Sequence, residues 1–448
     1  MLLGLMLLAI PALAAPVGSA VVNSVAALQA LGAASAATPA IHVQSYYEGA
    51  GRGGGLFIWD AARNDPADGC TVFATLGVAQ GRWTRQFSGP LNAAMCGAYW
   101  DGKHDDALAL NNALKVAASL HTSLDLPGGV GKVCSTVTAA PGVVVRGQGM
   151  GTAGAVAASP TFIDANCMKA GWVFEFLAPR SSVNYEAPKY YDMSIRNGLS
   201  NAMGGCIRWN SRDGGFADNA SVQAALMHPH AERVYCEMNN VVSNQQIGFQ
   251  CNKCFDGDIS QSETMFGRNG IALEGSDIMC IGCAGANRLA GANGPLIVIN
   301  RHNTFGNKDR VVGNEILTPA DFGQSYDAFI YDSTRSSTIE ANHIEGAIKG
   351  GRSAIHLDGG SHAVRDNDIE VYTEGSRSVP HWLVVNGPFT TLEISGNTCF
   401  GCVLNPVLFD SRLSQPNYNF PGAREIISHG GNANNGDFGF PGGTNGRN

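Results

Sequence analysis

The segments Ile297-Val298-Ile299-Asn300, Ile355-His356-Leu357-Asp358 and Leu383-Val384-Val385-Asn386 decide the fold, because they are one short apolar strand written three times. The same form recurs at Ile271–Glu274, Phe329–Asp332 and Val407–Asp410. Successive end residues, 274, 300, 332, 358, 386 and 410, lie 26, 32, 26, 28 and 24 positions apart. A second element, Asn-x-apolar, keeps step at Asn287, Asn314, Asn342, Asn367 and Asn397, with intervals of 27, 28, 25 and 30. Repeats of this length, holding strands of a few residues, cannot be helical hairpins. They fit the coils of a solenoid in which each coil buries its apolar residues and stacks on the next. The asparagines then fall at turns, where Asn tolerates left-handed backbone and its amide can bond from coil to coil.

Composition agrees. Charged residues make up 15% of 448, glycine reaches 57, and no coiled-coil or collagen pattern is present, which favours β structure with many turns. A net charge of −8 makes nucleic acid an unsuitable partner, since phosphate binding needs a basic face. Residues 1–14, an apolar run followed by Pro11-Ala12-Leu13-Ala14, have the form of a secretory signal without its usual basic start, and no membrane span is expected. Twelve cysteines suit an oxidising compartment. Cys251/Cys254 and Cys280/Cys283 repeat with an offset of 280 − 251 = 29, one coil, so stacked coils would bring equivalent cysteines to disulfide distance. Zinc at these pairs is the weaker reading; no metal and no cofactor is expected.

Residues 15–95 read as a linker and a small β module built around Leu56-Phe57-Ile58-Trp59-Asp60. The solenoid is expected over 96–412, followed by a Gly/Asn-rich tail over 413–448. Asp105 or Asp106 is placed to cap a helix in which Leu110, Leu114 and Ala117 share a face.

Asp101-Gly102 with Asp105-Asp106, that helix, Leu126-Pro127-Gly128-Gly129 and Val145-Arg146-Gly147-Gln148-Gly149 resemble the opening of the pectate-lyase-like β-helix superfamily. Gly53-Gly54-Gly55-Leu56-Phe57-Ile58-Trp59-Asp60 and Arg82-Trp83 resemble the region before the helix in phage tailspikes and related depolymerases. The resemblance implies an all-β, single-stranded right-handed parallel β-helix plugged at its N-terminal end by the helix. It does not carry the reaction: the Asn-Thr-Asp, Asp-Asp and Gly-His set of polygalacturonases and the Arg-x-Pro-x-x-Arg of pectate lyases are missing.

The repeat supplies a frame for locating chemistry. Residues two after each Asn are apolar and point inward, so residues one and three after it point outward. The first outward column reads Glu263 (with Ser262 in the Asn place), Arg288, Glu315, His343, Asp368 and Thr398; the second contains Glu345 and Glu370. Coils stack about 4.8 Å apart, which would put the Glu345 and Glu370 carboxyls about 5 Å apart, the separation of a retaining glycosidase. Catalysis is therefore expected from Glu345, Glu370, Asp368 and His343, and substrate binding from Glu263, Arg288, Glu315 and Arg365. Asp256, Asp258, His228-Pro229-His230 and Arg301-His302 are competing acid or base positions, whereas Asp332 and Asp358 read as members of a strand-end turn ladder. A strip of Ala272, Val298, Ile330, Val384 and Leu408, interrupted by His356, is expected to face outward and to need a cover, such as neighbouring subunits of a homotrimer.

The expected function is secreted or periplasmic cleavage of a polysaccharide, hydrolysis ahead of elimination. A non-catalytic glycan-binding or adhesin-like β-helix is the alternative, and an epimerase or transferase the third reading.

Overall fold

The computed structural model describes residues 20–32, 37, 39–151, 155–178, 184–198, 203–211, 226–239, 245–274, 288–290, 295–300, 309–317, 328–347, 353–372, 382–400 and 407–409; for 211, 274, 288–290, 300, 347, 372, 386–391, 400 and 407–409 it describes the backbone alone. The signal-like segment, the tail, Asn287, Cys280, Cys283, Cys402, Arg301, His302 and Asp410 lie outside the described residues. The chain divides into two units, Met1–Ser88 and Gly89–Asn448.

In the first unit the strands Ala20–Val22, Ala40–Ser45, Gly53–Asp60, Arg82–Gln86 and Val72–Phe73 form one sheet in that order. Alternation puts Ile41, Val43, Phe57 and Trp83 on its buried face. The short helix Val25–Gln29, capped by the Ser24 hydroxyl, which accepts from Ala27 N at 3.2 Å, adds Val25 and Leu28 to that core.

The second unit is a right-handed parallel β-helix. One ladder of parallel strands runs from Leu91–Asn92 to Thr398–Phe400 and another from Val137–Thr138 to Val407–Phe409. The register explains why the repeat is apolar. Phe174, Ile207, Phe249, Ile271, Ile297, Ile330, Ile355 and Leu383 are successive partners across the coils. Each of these is at most 3% exposed. Burying each such side chain contributes about 1.5–3 kcal/mol. The opposite wall stacks Ile316, Ile344 and Ile369, all fully buried.

The asparagine ladder forms as expected over its described members. Asn314 donates from N and Nδ2 to Asn342 Oδ1 (3.0 and 2.8 Å), Asn342 likewise to Asn367 (3.0 and 2.9 Å), and Asn367 to Asn397 (3.0 and 2.8 Å). The residue before each is left-handed: Gly313, Ala341, Asp366 and Gly396. Ser262 takes the same place one stretch earlier, where its hydroxyl accepts from Val234 N at 3.2 Å after left-handed Gln261.

The helix Ala107–Ser119 buries Leu110, Ala113, Leu114 and Ala117 against the first coils. Neither aspartate caps it in the expected simple way. Asp106 holds the cap position but its carboxylate accepts from Tyr99 N (2.6 Å) and Trp100 N (3.2 Å), while Asp105 accepts from Ala107 N and Cys134 N, each at 3.0 Å. Both acids therefore tie the plug to the preceding loop and the first coil.

Cys134–Cys167 links adjacent coils just beyond the paired residues Lys132 and Asp164, and Cys206–Cys236 ties the two walls through the interior. The expected coil-to-coil pairing of Cys251 is corrected: it bonds Cys254. Left-handed Lys253 folds the chain sharply between them and brings the two Cα atoms to 6.0 Å.

Two further expectations fail on register. Ile330 faces inward, and Tyr331 takes its place in the outward column Ala272–Val298–Tyr331–His356–Val384–Leu408. By the same one-residue slip Asp332 pairs with Leu357, so it lies inside the solenoid and not in a ladder with Asp358. It is fully buried, accepts from Thr334 N and Oγ1 (2.8 and 2.7 Å), and lies 3.6 Å from buried His362.

Candidate active site

The outward column after the asparagine turn is in the expected register. Glu263, Arg288, Glu315, His343, Asp368 and Thr398 are successive partners, and Glu345 is the direct partner of Glu370. The strands His343–Ala347 and Asp368–Tyr372 thus bring His343, Asp368, Glu345 and Glu370 together on two adjacent coils. Thr398 Oγ1 donates to Asp368 Oδ1 at 2.7 Å, leaving Oδ2 at 3.3 Å from His343 Nδ1. The other ring nitrogen, Nε2, lies 3.7 Å from Glu345 Oε2. These groups are open to solvent, with side-chain exposures of 37% for His343, 46% for Asp368 and 51% for Glu345.

Two expected substrate contacts are displaced. Glu263 is only 6% exposed; its register partner Tyr235 is buried with Val156 and Phe162. Arg365 lies on the far side of the asparagine turn, where it pairs with Glu340 across the coil at 3.7 Å. Its side chain therefore serves the neighbouring strand face. Arg288 and Glu315 keep their register places between the buried and the open ends.

A second polar centre, only partly foreseen, occupies the strand segments before the left-handed residues Asp192, Arg233 and Gln261. Here one outward column runs Asp125–Arg146–Tyr191–Glu232–Ser260 and the next Lys189–His230–Asp258. His230 Nδ1 is hydrogen-bonded to Asp258, whose other oxygen accepts from Ser260 Oγ at 3.0 Å, and His230 Nε2 lies 3.4 Å from Glu232. The Tyr191 ring packs on His230 (centroids 4.8 Å apart) and under the Arg146 guanidinium at 5.3 Å. Burial works against a charged His230, but the bonds and charges of Asp258 and Glu232 outweigh it and hold the ring above its ordinary value. Burial pushes the Tyr191 phenol up, so it stays protonated. These side chains are more enclosed than the first group: His230, Glu232 and Asp258 are 18%, 24% and 25% exposed. The motif His228-Pro229-His230 and Asp258 were visible in the sequence. Arg146, Tyr191 and Glu232 were not, because their coils precede the regular repeat.

Among the described residues no group of three or more His, Cys, Asp or Glu side chains could hold a metal ion, and no helix is long and apolar enough to cross a membrane.

Residues 21–88 match the model of the phage tail protein small four-stranded β-sheet domain. No curated protein matches the chain. Among solved structures, the chain is similar to the enzymatically active domain of bacteriophage CBA120 tailspike protein 2, with 12% identity and a TM-score of 0.61 over 88% of this chain and 56% of that one. It is also similar to full-length tailspike protein 2 from an Escherichia coli O157:H7 bacteriophage, with 12% identity and a TM-score of 0.59 over 88% of this chain and 50% of that one. The chain spans about half the length of these structures. At this identity the likeness is one of fold: a parallel β-helix.

Proposed function

We propose that the protein is an extracellular or periplasmic polysaccharide-cleaving enzyme, a hydrolase, with Glu345 and Glu370 as its two carboxyls. The reading is carried by one observation: the two glutamates are register partners on adjacent coils, with His343 held between Asp368 and Glu345. Adjacent-coil spacing of about 4.8 Å suits a double displacement with retention. Glu370 donates a proton to the glycosidic oxygen as the carbon–oxygen bond breaks, and the Glu345 carboxylate bonds the anomeric carbon. Water, deprotonated by Glu370, then releases the sugar. The roles follow from His343, whose Nε2 is turned to Glu345 and accompanies the carboxylate, leaving Glu370 to carry the proton. Thr398 and Asp368 position that ring. Glu315 and Arg288 extend the face for sugar contacts. The tailspike domain of similar fold, described as enzymatically active, supports the reading.

A homotrimer belongs to the same proposal. The outward column Val298–Tyr331–His356 continues to Val384, itself 8% exposed, and is apolar but for His356, a strip that a neighbouring subunit would cover.

The test is a panel of bacterial and plant polysaccharides assayed for new reducing ends. Glu345→Gln and Glu370→Gln keep size and polarity, and each should lower the rate at least about a hundredfold with unchanged circular dichroism. Near-normal rates in both variants would reject the assignment. Binding without cleavage by the parent protein would make the strip a glycan-binding surface.

A further inference from the structure

The second polar centre, around His230, is unused by that mechanism, and its composition differs from the glutamate pair. It combines a histidine held by a carboxylate, a protonated phenol and a guanidinium on one face of the solenoid.

We propose that Arg146, Tyr191 and His230 form a separate site for a uronic-acid unit of an acidic polysaccharide, at which the chain is cleaved by β-elimination. Three observations carry it. First, Asp258 fixes Nδ1 of His230, so the ring is oriented with Nε2 as its working atom, and Ser260 in turn fixes Asp258. Second, Tyr191 lies between the other two groups: its ring is 4.8 Å from the His230 ring and 5.3 Å from the Arg146 guanidinium carbon. One sugar ring can therefore meet all three. Third, among the described residues Arg146 has no carboxylate within 4.0 Å, whereas Arg233 is held by Asp192 and Glu232, and Lys189 by Glu186. Arg146, which its register partner Asp125 reaches through charge without a close ion pair, can therefore pair with a ligand carboxylate, and Lys189, the register partner of His230, adds positive charge.

The chemistry balances without a metal, water or redox partner. Pairing of the uronate carboxylate with Arg146 acidifies the C5 proton. His230 Nε2 takes that proton, the C5–H electron pair becomes the C4–C5 double bond, and the C4–O bond breaks. The departing oxygen takes the Tyr191 proton, which His230 returns to the phenolate. The reacting ring is the neutral one, with Nδ1–H donated to Asp258 and Nε2 unprotonated; Glu232 lies 3.4 Å from Nε2. Asp258 is a positioning residue.

The site lies four coils before His343, counting the strands at 230, 263, 288, 315 and 343 with 263 one coil after 230. At about 4.8 Å per coil that is about 19 Å along the stack, and His230 lies before its turn whereas His343 follows its own, so the two centres are separate.

The experiment uses the full chain with polymers and oligomers of glucuronate, galacturonate and mannuronate, following ultraviolet absorbance of the unsaturated product and reducing ends in parallel. Elimination raises both signals, whereas hydrolysis by the glutamate pair raises reducing ends alone, so failure of either reading is seen separately. His230→Gln and Tyr191→Phe should each lower the absorbance rate at least about a hundredfold. Tyr191→Phe keeps the ring packing and guards against loss of fold. Arg146→Gln should mainly raise KM. Asp258→Asn should move the acid limb of the kcat/KM profile to lower pH, which a purely structural role would not. Absence of unsaturated product from every uronate, or its undiminished formation by His230→Gln, overturns the proposal.

Discussion

The asparagine ladder gives the sharpest test of how the solenoid is held together, and Asn342 is the residue to change. Its amide makes bonds in both directions along the stack. Oδ1 accepts from Asn314 N (3.0 Å) and Asn314 Nδ2 (2.8 Å), and Nδ2 donates to Val311 O (2.9 Å) and Asn367 Oδ1 (2.9 Å). With Asn342 only 1% exposed, water does not replace these partners. Asn342→Ala leaves Asn314 N, Asn314 Nδ2 and Val311 O without the bonds they have now, while Asn367 Oδ1 keeps Asn342 N at 3.0 Å. Each orphaned buried group costs about 1–3 kcal/mol, so the three together should cost about 3–9 kcal/mol. Asn342→Asp preserves the acceptor but turns a second oxygen on Val311 O and Asn367 Oδ1. A buried carboxyl there is tolerated only when protonated, so its folded-state pKa lies above the unfolded value. The variant is then least impaired in acid and loses stability as the pH rises. Denaturant unfolding followed by circular dichroism reads the loss, and native-state hydrogen exchange localises it, since a stack of coils can open regionally. The control is Thr338→Ala, on an outward position of the preceding strand. Equal stability of Asn342→Ala and the control, or equal protection of Asn314 N in both, would refute the ladder as a stabilising device.

Two other outcomes are expected. Burial pushes the Asp106 carboxyl up to about 6, against the Tyr99 and Trp100 amides that favour its ionised form. Its stabilisation is therefore complete below about 4 and lost as the pH rises through about 6, and Asp106→Asn should flatten that part of the thermal-midpoint profile; an unchanged slope would exclude it as the source. Light scattering at micromolar concentration should give three times the mass of the chain if the outward apolar column is a subunit interface; a monomer rejects the homotrimer.

The fold was legible because a solenoid repeats its constraints. An inward position must be apolar in every coil, and an asparagine that bonds to the next asparagine must recur, so both leave a period in the sequence. The outward columns were legible by subtraction, and the register places Glu315, His343, Asp368, Glu345 and Glu370 accordingly. What failed has one main physical origin. The interval of 32 between Asn300 and Asp332 hides an extra residue, and in a strand a one-residue slip reverses every side chain. Ala328-Phe329-Ile330 is apolar throughout, so hydrophobicity alone could not set the frame, and Ile330 and Asp332 were assigned to the wrong faces. Glu263 and Arg365 failed for another reason: a column predicts direction but not what covers it or which side of a turn it serves. Val156 packs on Tyr235, the register partner of Glu263, from 79 residues away, and no local pattern announces such a contact.

The same reasoning explains why the His230 centre was undervalued. In the C-terminal coils each turn carries an asparagine, which marks the outward residues at fixed offsets. In the earlier coils Met193 and Val234 stand at the corresponding turns, after Asp192 and Arg233 in left-handed conformation, and the marker is lost. Arg146, Tyr191 and His230 are 45 and 39 residues apart in sequence, intervals lengthened by insertions, so no fixed spacing links them. Parallel stacking nevertheless sets Arg146 against Tyr191, and Lys189 and Tyr191 against His230 and Glu232. A solenoid can vary coil length freely because loops leave at the turns while strand pairing holds the register. Chemistry can therefore be assembled where the sequence repeat is least regular, and the search for function in such a chain should follow the ladder of strand partners rather than the period.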